Sequence, residues 1–363
     1  MRSWFISGIL LLVTSGLCRA EQWPVRVLLK EGVAAIHLQA EGLSRLEEIE
    51  RPVVQVVPPG QAVQVAWDGR PGTSFRLKPD AGLVWIDGRP YRGSVEVWNT
   101  SEGLRVVNEV PLEEYVRGVM KVEANPEWPL EVLRAQAVVA RTYAMYESLV
   151  DPGAPYHLHA TTASQLYRGV SGEDPRSDLA VQATRGEVLT YRGQVIPAFY
   201  HADSGGQTED AVEVWEKKYP FIVGTQDPFS TGAPTHQWEV TIPRSEIRRA
   251  LVEQLGWRLG EIRRIETARR TRSGRVSRLR IWDDAGVLDI EGKRFRQILG
   301  PDRIRSTRFT IYPNGGEMIF VGQGWGHGVG LSQWGAKAMA DLAYSYPDIL
   351  KHYFPLTELR RLP

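Results

Sequence analysis

The sequence predicts an α+β protein with mostly antiparallel sheets, and three patterns in its 363 residues carry this prediction. Short apolar runs alternate with Gly, Pro and Asp-Gly turn signals from Val25 to about Val107, which is typical of antiparallel strands. The apolar period becomes helical from Pro111 to about Ser148. The stretch from Trp238 to Phe320 combines strands and hairpins with one helix, and we expect Ser245 to be the N-cap of that helix.

Changes of pattern divide the chain into five parts. The pattern of residues 179–223, which lie in the part at 108–235, predicts short strands and turns. The parts are a signal peptide at 1–20, an N-terminal β-rich region at 21–107, a core with a helical segment at 108–235, an inserted β-rich accessory subdomain at 236–318, and a C-terminal part at 319–363 that completes the core.

The first 20 residues, MRSWFISGILLLVTSGLCRA, have the pattern of a secretory signal peptide. Arg2 precedes a short apolar run, and small and polar residues follow up to Ala20. The apolar run is too short to span a bilayer comfortably, although an uncleaved anchor is the alternative. We therefore expect an exported protein, in the periplasm, in the cell envelope or outside the cell, with no stable membrane span after removal of the signal.

Charge and cysteine content exclude several classes of function. The 44 Lys and Arg residues nearly balance 43 Asp and Glu residues, which argues against binding to nucleic acid or to a membrane surface. If the signal peptide is removed, the single cysteine, Cys18, leaves with it, and the mature chain then has no thiolate for metal binding or catalysis. We expect no cofactor. Residues 241–310 contain 18 Lys and Arg but only 9 Asp and Glu. This excess of positive charge indicates either an ordinary solvated surface or a surface that attracts an anionic polymer.

Glu123 occupies an unusual position for a carboxylate. With Leu112 as the origin of a helical wheel, Tyr115 and Val119 lie within about 60° of it, and Glu123 lies at about 20°, on the apolar stripe. The helix has to end there, because Asn125 precedes Pro126.

A second helix is expected from about Pro129, and Trp128 is near enough in sequence to shield the Glu123 carboxyl. A shielded carboxyl group has a raised pKa and can act as a general acid. The alternative is a structural role for Glu123, either as a cap of the next helix or in an ion pair with Arg134 or Arg141.

Four blocks of the sequence carry a resemblance to a known family. The four blocks are VPLEEYVRGVMKVEANPEWPLEVLRAQAVVARTYAM, ATTASQLYRG, AVQATRGEVLTYRGQVIPAFYHADSGGQTEDAVEVW and GQGWGHGVGLSQWGAKAMA, with IDGRPYRGSVEV upstream of them. Over roughly residues 82–356, the sequence resembles the stage II sporulation protein D and amidase-enhancer (SpoIID/LytB) family.

The resemblance implies a peptidoglycan lytic transglycosylase that cleaves glycan strands between MurNAc and GlcNAc. Its catalytic acid would be Glu123, in the sequence Glu-Ala-Asn-Pro where members commonly have Glu-Met-Pro. One carboxyl group suffices for this chemistry, whereas ordinary glycosidases need two. The substrate's own C6 hydroxyl closes onto C1 and leaves a 1,6-anhydro-MurNAc end. The alternatives are a non-catalytic glycan-binding protein that stimulates a partner amidase, and a structural envelope protein.

The resemblance makes six residues candidate substrate contacts: Tyr200, His201, Ser204, Gly206, Thr208 and Glu209. Rings and hydrogen-bonding groups in the glycine-rich stretch add Trp325, His327, Ser332 and Gln333, and the expected groove adds Arg141, Tyr143 and Gln165. His201, Asp203 and Ser204 stand too close together in sequence to converge as a hydrolytic triad, so we interpret this stretch as a turn that lines a cleft. No metal is expected, although a zinc site at His157 and His159 is a minor alternative.

Glycine occupies every second position from Gly322 to Gly330. The spacing does not match a dinucleotide fingerprint, and no phosphate-loop Lys-Ser/Thr follows it, so a nucleotide site is excluded. Alternate glycines let the backbone pass close to another group. Because Trp325 and His327 offer flat rings, we expect this segment to form one wall of a glycan groove opposite Glu123. The alternative is a tight turn that leads into a helix at residues 336–343.

Overall fold

The computed structural model describes residues 23–42, 44–48, 54–57, 60–67, 72–80, 82–215 and 217–362. The predicted signal peptide at 1–20 lies outside the described residues. Within them, helices occur together with mostly antiparallel sheets, which confirms the predicted α+β class. None of the helices in these ranges is long and apolar enough to cross a membrane.

The N-terminal strands form two sheets, as the alternating apolar pattern predicts. A seven-stranded sheet has the order β11-β1-β10-β9-β6-β3-β4, and a four-stranded sheet has the order β5-β2-β7-β8. The strands are β1 (Pro24–Val33), β2 (Ala35–Ala40), β3 (Ser44–Glu48), β4 (Val54–Val57), β5 (Ala62–Ala66), β6 (Ser74–Pro79), β7 (Val84–Ile86), β8 (Arg89–Tyr91), β9 (Ser94–Thr100), β10 (Gly103–Pro111) and, from the core, β11 (Leu158–His159).

Two helices follow directly and pack on these sheets. Helix α1 (Leu112–Glu123) begins after Pro111, and Glu113 and Glu114 in its first turn complement the helix dipole. Its apolar face joins the strands in one hydrophobic cluster that includes Val25, Val106 and Tyr115. Helix α2 (Leu130–Val150) is buried along most of its length, because a second cluster covers its other side.

The rest of the core covers α2 with short elements. They are α3 (Pro175–Ala183), β12 (Glu187–Tyr191), β13 (Gln194–Val195), β14 (Tyr200–His201), α4 (Ala211–Trp215), β21 (Leu331–Ser332), α7 (Gln333–Asp341), α8 (Tyr346–Tyr353) and β22 (Glu358–Arg361). The prediction of strands and turns alone at 179–223 is wrong at α3 and α4. Helix α3 forms because the Asp174 side chain caps it and Pro175 suits its first turn.

The inserted region has its own hydrophobic cluster, centred on residues such as Phe295 and Phe320. Two three-stranded antiparallel sheets, β15-β20-β19 and β16-β17-β18, enclose it with two helices. The elements are β15 (Gln237–Pro243), α5 (Arg244–Leu255), β16 (Arg264–Arg270), β17 (Val276–Trp282), β18 (Val287–Glu291), α6 (Gly292–Leu299), β19 (Phe309–Asn314) and β20 (Glu317–Gln323).

Two details of the inserted region differ from the sequence prediction. Ser245 is not the N-cap of α5, because β15 runs straight into the helix and Pro243 takes the cap position without a side-chain hydrogen bond. Strand β20 pairs with β15 as far as Gln323, so the sheet extends beyond the boundary predicted at residue 318. The glycine-rich segment therefore starts as the end of a strand of the inserted region.

Candidate active site

Glu123 is the last residue of α1, and its side chain is half-buried where the chain bends towards α2. Its Oε1 accepts a hydrogen bond of 2.7 Å from the backbone N–H of Leu166, and the Tyr200 hydroxyl donates another hydrogen bond to the carboxyl group. Burial raises the pKa of the Glu123 carboxyl above its ordinary value, while these two hydrogen bonds oppose the rise. Glu123 therefore keeps its proton to a higher pH than an exposed glutamate does.

The two arginines considered as ion-pair partners of Glu123 pair with other carboxylates. Arg134 donates to Glu131 within the first turns of α2. Arg141 is fully buried and donates to both carboxylate oxygens of Glu113, at 2.8 and 2.9 Å. The expected substrate contact of Arg141 is therefore wrong, because its guanidinium group is enclosed by protein and cannot reach a ligand.

A chain of hydrogen bonds supports the Glu123 carboxyl from within the core. The Tyr115 hydroxyl donates to Gln165 Oε1 at 3.0 Å, and Gln165 Nε2 donates to the Tyr200 hydroxyl at 3.2 Å. Burial raises the pKa of both tyrosines well above the ordinary value, so both hydroxyls remain protonated donors. Gln165 is itself buried, so it orients Tyr200 rather than lining an open surface.

The backbone of Glu123 is also held in place. Gln333, the first residue of α7, donates from Nε2 to the Glu123 carbonyl oxygen at 2.9 Å. Ala124 is extended, and the Asn125 side chain accepts a hydrogen bond from the N–H of Glu127 at 3.0 Å, which forms the predicted bend. Trp128 packs edge-on against Trp334, with ring centroids 5.0 Å apart. The glycine-rich end of the chain thus fixes the position of the carboxyl group.

The glycine-rich segment passes close to neighbouring groups on both sides. A Cβ atom at Gly326 would lie 2.8 Å from the Cβ of His201, and one at Gly330 would lie 2.1 Å from the Phe199 carbonyl oxygen. Gly328 has a φ of +88°, and a Cβ atom there would lie 2.4 Å from the guanidinium group of Arg275. The segment then pairs with β14, where Tyr200 lies opposite Leu331. Close approach, rather than a tight turn alone, therefore explains the glycines.

One histidine of this segment, His327, lies beside His201 of β14, with ring centroids 5.5 Å apart, and both are neutral at ordinary pH. His201 is buried, its Nδ1 lies 3.1 Å from the Val329 carbonyl oxygen, and burial lowers its pKa well below the ordinary value. His327 accepts a hydrogen bond from the Val329 N–H at 3.1 Å, and burial lowers its pKa to about 3. A neutral imidazole can accept or donate a hydrogen bond, but it cannot replace Glu123 as an acid at neutral pH.

Four polar residues predicted to contact substrate are instead used inside the protein. Ser204, Thr208, Glu209 and Ser332 are each at most 2% exposed. The Ser204 hydroxyl donates to Asp227 at 2.6 Å, and the Ser332 hydroxyl accepts from the backbone N–H of Ser204. The expectation that they line an open cleft is wrong, because the predicted turn at Ser204 is folded inwards. Ser204 contacts Asp227 and Ser230 rather than a histidine, so it does not form a triad.

Arg275 joins the inserted region to the core. It is 1% exposed and donates to the carbonyl oxygens of Ser204 at 2.6 Å and Gln207 at 2.8 Å. Burial lowers the pKa of Arg275 to about 10. Beside it, Thr271 and Ser273 donate to the Glu209 carboxylate at 2.5 and 2.7 Å. We call Glu209, Thr271, Ser273 and Arg275 the junction.

The remaining predicted contacts lie at the edges of the site. Tyr143 is half-buried on α2, and Gly206 follows the inward turn with a φ of +103°. Trp325 lies under the guanidinium group of Arg305, 4.9 Å from its ring centroid. His157 accepts a hydrogen bond from the N–H of Arg26. Within the described ranges, no three His, Cys, Asp or Glu side chains lie together so as to hold a metal ion.

Comparison with known proteins gives matches along most of the chain. A family model described as stage II sporulation protein matches residues 100–191. An uncharacterised protein of Brachyspira hyodysenteriae is 34% identical over 270 residues, which are 74% of this chain and 72% of that protein. Stage II sporulation protein D of Bacillus amyloliquefaciens is 33% identical over 278 residues, 72% of this chain and 77% of that protein. The chain belongs to the stage II sporulation protein D family.

Two further matches of this family member extend beyond residues 100–191. The amidase enhancer of Bacillus subtilis is 29% identical over 348 residues, and the match covers 79% of this chain but 47% of that protein. A family model described as a domain of unknown function matches residues 216–330. That range includes the inserted region and the whole of the glycine-rich segment, which the structure links through β20.

Sequence reasoning missed three parts of this family member's site. The sequence pattern places Tyr115 on the apolar stripe of α1, but it does not indicate that the Tyr115 hydroxyl starts the hydrogen-bond chain to Glu123. Leu166 acts through its backbone N–H, which no side-chain pattern can indicate. Arg275 lies in a basic run, RTRSGRVSRLR, where no residue type distinguishes the buried arginine from its exposed neighbours.

Proposed function

We propose that this protein is a peptidoglycan lytic transglycosylase with Glu123 as its single general acid and base. The observation that carries the proposal is the half-buried Glu123 carboxyl, which has a raised pKa and receives hydrogen bonds from Leu166 and Tyr200 but has no cationic partner among the residues that the structure describes. A carboxyl group in this setting suits proton donation near neutral pH. The stage II sporulation protein D and amidase-enhancer relatives support a role at the cell wall.

The proposed reaction uses the Glu123 carboxyl group twice, first as an acid and then as a base. Glu123 donates its proton to the oxygen that bridges MurNAc and GlcNAc, and the bond from C1 to that oxygen breaks. The carboxylate then takes the proton of the C6 hydroxyl of the same MurNAc, and that oxygen bonds to C1. The product is a 1,6-anhydro-MurNAc end, and Glu123 is protonated again. The N–H of Leu166 and the hydroxyl of Tyr200 stabilise the carboxylate between the two steps.

Product analysis on purified glycan strands tests the proposal. Strands without stem peptides are incubated with wild type, Glu123→Gln and Glu127→Gln, and anhydro ends are scored by mass spectrometry. Glu127 is exposed on the same bend and serves as the matched control. We expect release by wild type and Glu127→Gln, with at least about a hundredfold loss for Glu123→Gln. Equal release by Glu123→Gln contradicts the proposal.

The second candidate is a non-catalytic glycan-binding protein that stimulates a partner amidase. The observation that favours it is the similarity to the Bacillus subtilis amidase enhancer. A pull-down with the same strands separates the two candidates. Equal binding by wild type and Glu123→Gln, without release by either, supports the binding protein.

A further inference from the structure

Five aromatic side chains form a patch beside the Glu123 site: Tyr143, Phe199, Trp215, Tyr219 and His327. We call this group the aromatic patch. Phe199 and Trp215 stack with ring centroids 4.2 Å apart and an interplanar angle of 24°. Around them, Tyr143 lies 6.0 Å and Tyr219 lies 6.1 Å from the Phe199 centroid, and His327 lies 5.1 Å from Trp215.

The aromatic patch is continuous with the residues that hold Glu123. Phe199 directly precedes Tyr200, whose hydroxyl donates to the Glu123 carboxyl. His327 makes a hydrogen bond with the backbone of Tyr200. Tyr200 therefore joins the aromatic patch to the Glu123 carboxyl.

Trp215 is the exposed member of the aromatic patch. Its side chain is 40% exposed although tryptophan carries a large apolar surface. Phe199 supports the ring from behind, so the indole is held in place before any ligand arrives. A ring that is supported by a neighbour and still partly exposed is suited to stacking, because little side-chain entropy is lost on binding.

Polar groups of both charges surround the rings. Glu147 lies one helical turn after Tyr143 on α2, and burial raises the pKa of its carboxyl. The Lys217 ammonium group donates to the Tyr146 hydroxyl at 3.3 Å and lies 5.1 Å from the Tyr219 centroid. Rings beside hydrogen-bonding groups match a sugar, which has apolar C–H faces and a rim of hydroxyls.

We propose that the aromatic patch is a saccharide subsite in which one sugar of a glycan strand stacks on Trp215. The adjacent sugars then extend past Tyr200 to Glu123, so the subsite sets which bond lies against the carboxyl group. This inference rests on the proposed function in one respect, since it takes the ligand to be the same glycan strand. Binding by the patch does not depend on cleavage.

A binding measurement tests the subsite independently of catalysis. All variants carry Glu123→Gln to prevent cleavage, and their affinity for strands without stem peptides is measured. Trp215→Ala is compared with Trp67→Ala, because Trp67 is 41% exposed and lies outside the core, beside strand β5. We expect about tenfold weaker binding for Trp215→Ala and no change for Trp67→Ala. Trp215→Phe, which keeps a stacking ring, is expected to retain most of the affinity.

The two proposals fail in distinguishable ways. The subsite proposal is contradicted if Trp215→Ala folds and binds strands as tightly as its parent. This holds even if wild type releases anhydro ends. Weaker binding by Trp215→Ala, with no release by wild type, supports the subsite and contradicts the transglycosylase. A parent variant that binds no strands at all overturns the subsite. A matched unfolding midpoint for Trp215→Ala and its parent shows that lost affinity is not lost folding.

Discussion

At the scale of single residues, two opposing effects determine the pKa of the Glu123 carboxyl. Burial favours the protonated form, while the Leu166 N–H and the Tyr200 hydroxyl favour the carboxylate. A group that must first give up a proton and then take one back needs both influences, because either form held too strongly would stop one half of the reaction. The effect of Tyr200 can be tested by mutation, since Tyr200→Phe removes the hydroxyl and keeps the ring.

Tyr200→Phe is predicted to change the pH dependence of glycan cleavage. Loss of the donated hydrogen bond raises the pKa of Glu123 further, so the acid form persists and the alkaline limb of the rate profile moves to higher pH. The maximal rate falls about tenfold, because the carboxylate is less stabilised.

Initial rates of strand cleavage between pH 4 and 9 check this prediction. Tyr312→Phe is the control, because Tyr312 is 51% exposed in the inserted region. An alkaline limb that stays in place in Tyr200→Phe, or moves to lower pH, contradicts the role assigned to Tyr200.

The glycine-rich segment explains, at the scale of elements, how the inserted region and the core meet. It leaves β20, passes between β14 and Arg275, and ends at α7, where Gln333 holds the backbone of Glu123. Its glycines are needed for positive φ angles and for space. These two requirements can be separated by comparing glycines with the same φ but different surroundings.

Gly328→Ala is predicted to destabilise the protein more than Gly274→Ala. The two glycines have φ angles of +88° and +83°, but only at Gly328 would a Cβ atom meet other atoms within 4 Å, those of the Arg275 side chain. Backbone strain alone costs about 1 kcal/mol at Gly274, and displacement of Arg275 brings the cost at Gly328 to about 3 kcal/mol. Denaturant unfolding of both variants measures the difference, and equal destabilisation would show that the close approach has no energetic consequence.

The sequence predicts the elements around Glu123 better than the contacts between them. Helix α1, the bend at Asn125 and Pro126, and helix α2 all follow from periodicity and from the proline. The hydrogen bond from Leu166 to Glu123 joins residues 43 positions apart, and it depends on how β11 and the following loop return to α1.

The inward direction of Ser204 and Glu209 could not be predicted either. Their partners include Asp227, Thr271 and Ser273, and these residues come close only when the inserted region has folded against the core. Local pattern shows that such residues are polar, but it does not show whether they face solvent or another part of the chain.

Hydrophobic clusters and a polar junction organise the part of the molecule that the structure describes. One cluster joins the N-terminal sheets to α1 and α2, a second covers the other side of α2, and a third fills the inserted region. The junction connects the inserted region to the core. The buried guanidinium group of Arg275 donates to the Ser204 carbonyl oxygen, and the hydroxyls of Thr271 and Ser273 donate to the Glu209 carboxylate. The inserted region thus holds residues 204–209 and the glycine-rich segment in place.

Arg275→Ala is predicted to weaken this coupling. The carbonyl oxygens of Ser204 and Gln207 lose a charged donor in a buried setting, which costs about 3 kcal/mol. Arg272→Ala, three residues away at an exposed position, is expected to change stability by less than about 0.5 kcal/mol. Calorimetry of both variants checks the prediction, and an Arg275→Ala protein as stable as Arg272→Ala would refute the coupling.

The most direct test of the role of Glu123 is cleavage of denuded glycan strands in oxygen-18 water, with mass analysis of the new ends. The account predicts that wild type produces anhydro-MurNAc ends without the isotope, because the C6 hydroxyl and not water attacks C1. It predicts that Glu123→Gln produces no such ends above background. Isotope-labelled reducing ends from wild type, or unlabelled anhydro ends from Glu123→Gln at the wild-type rate, would contradict it.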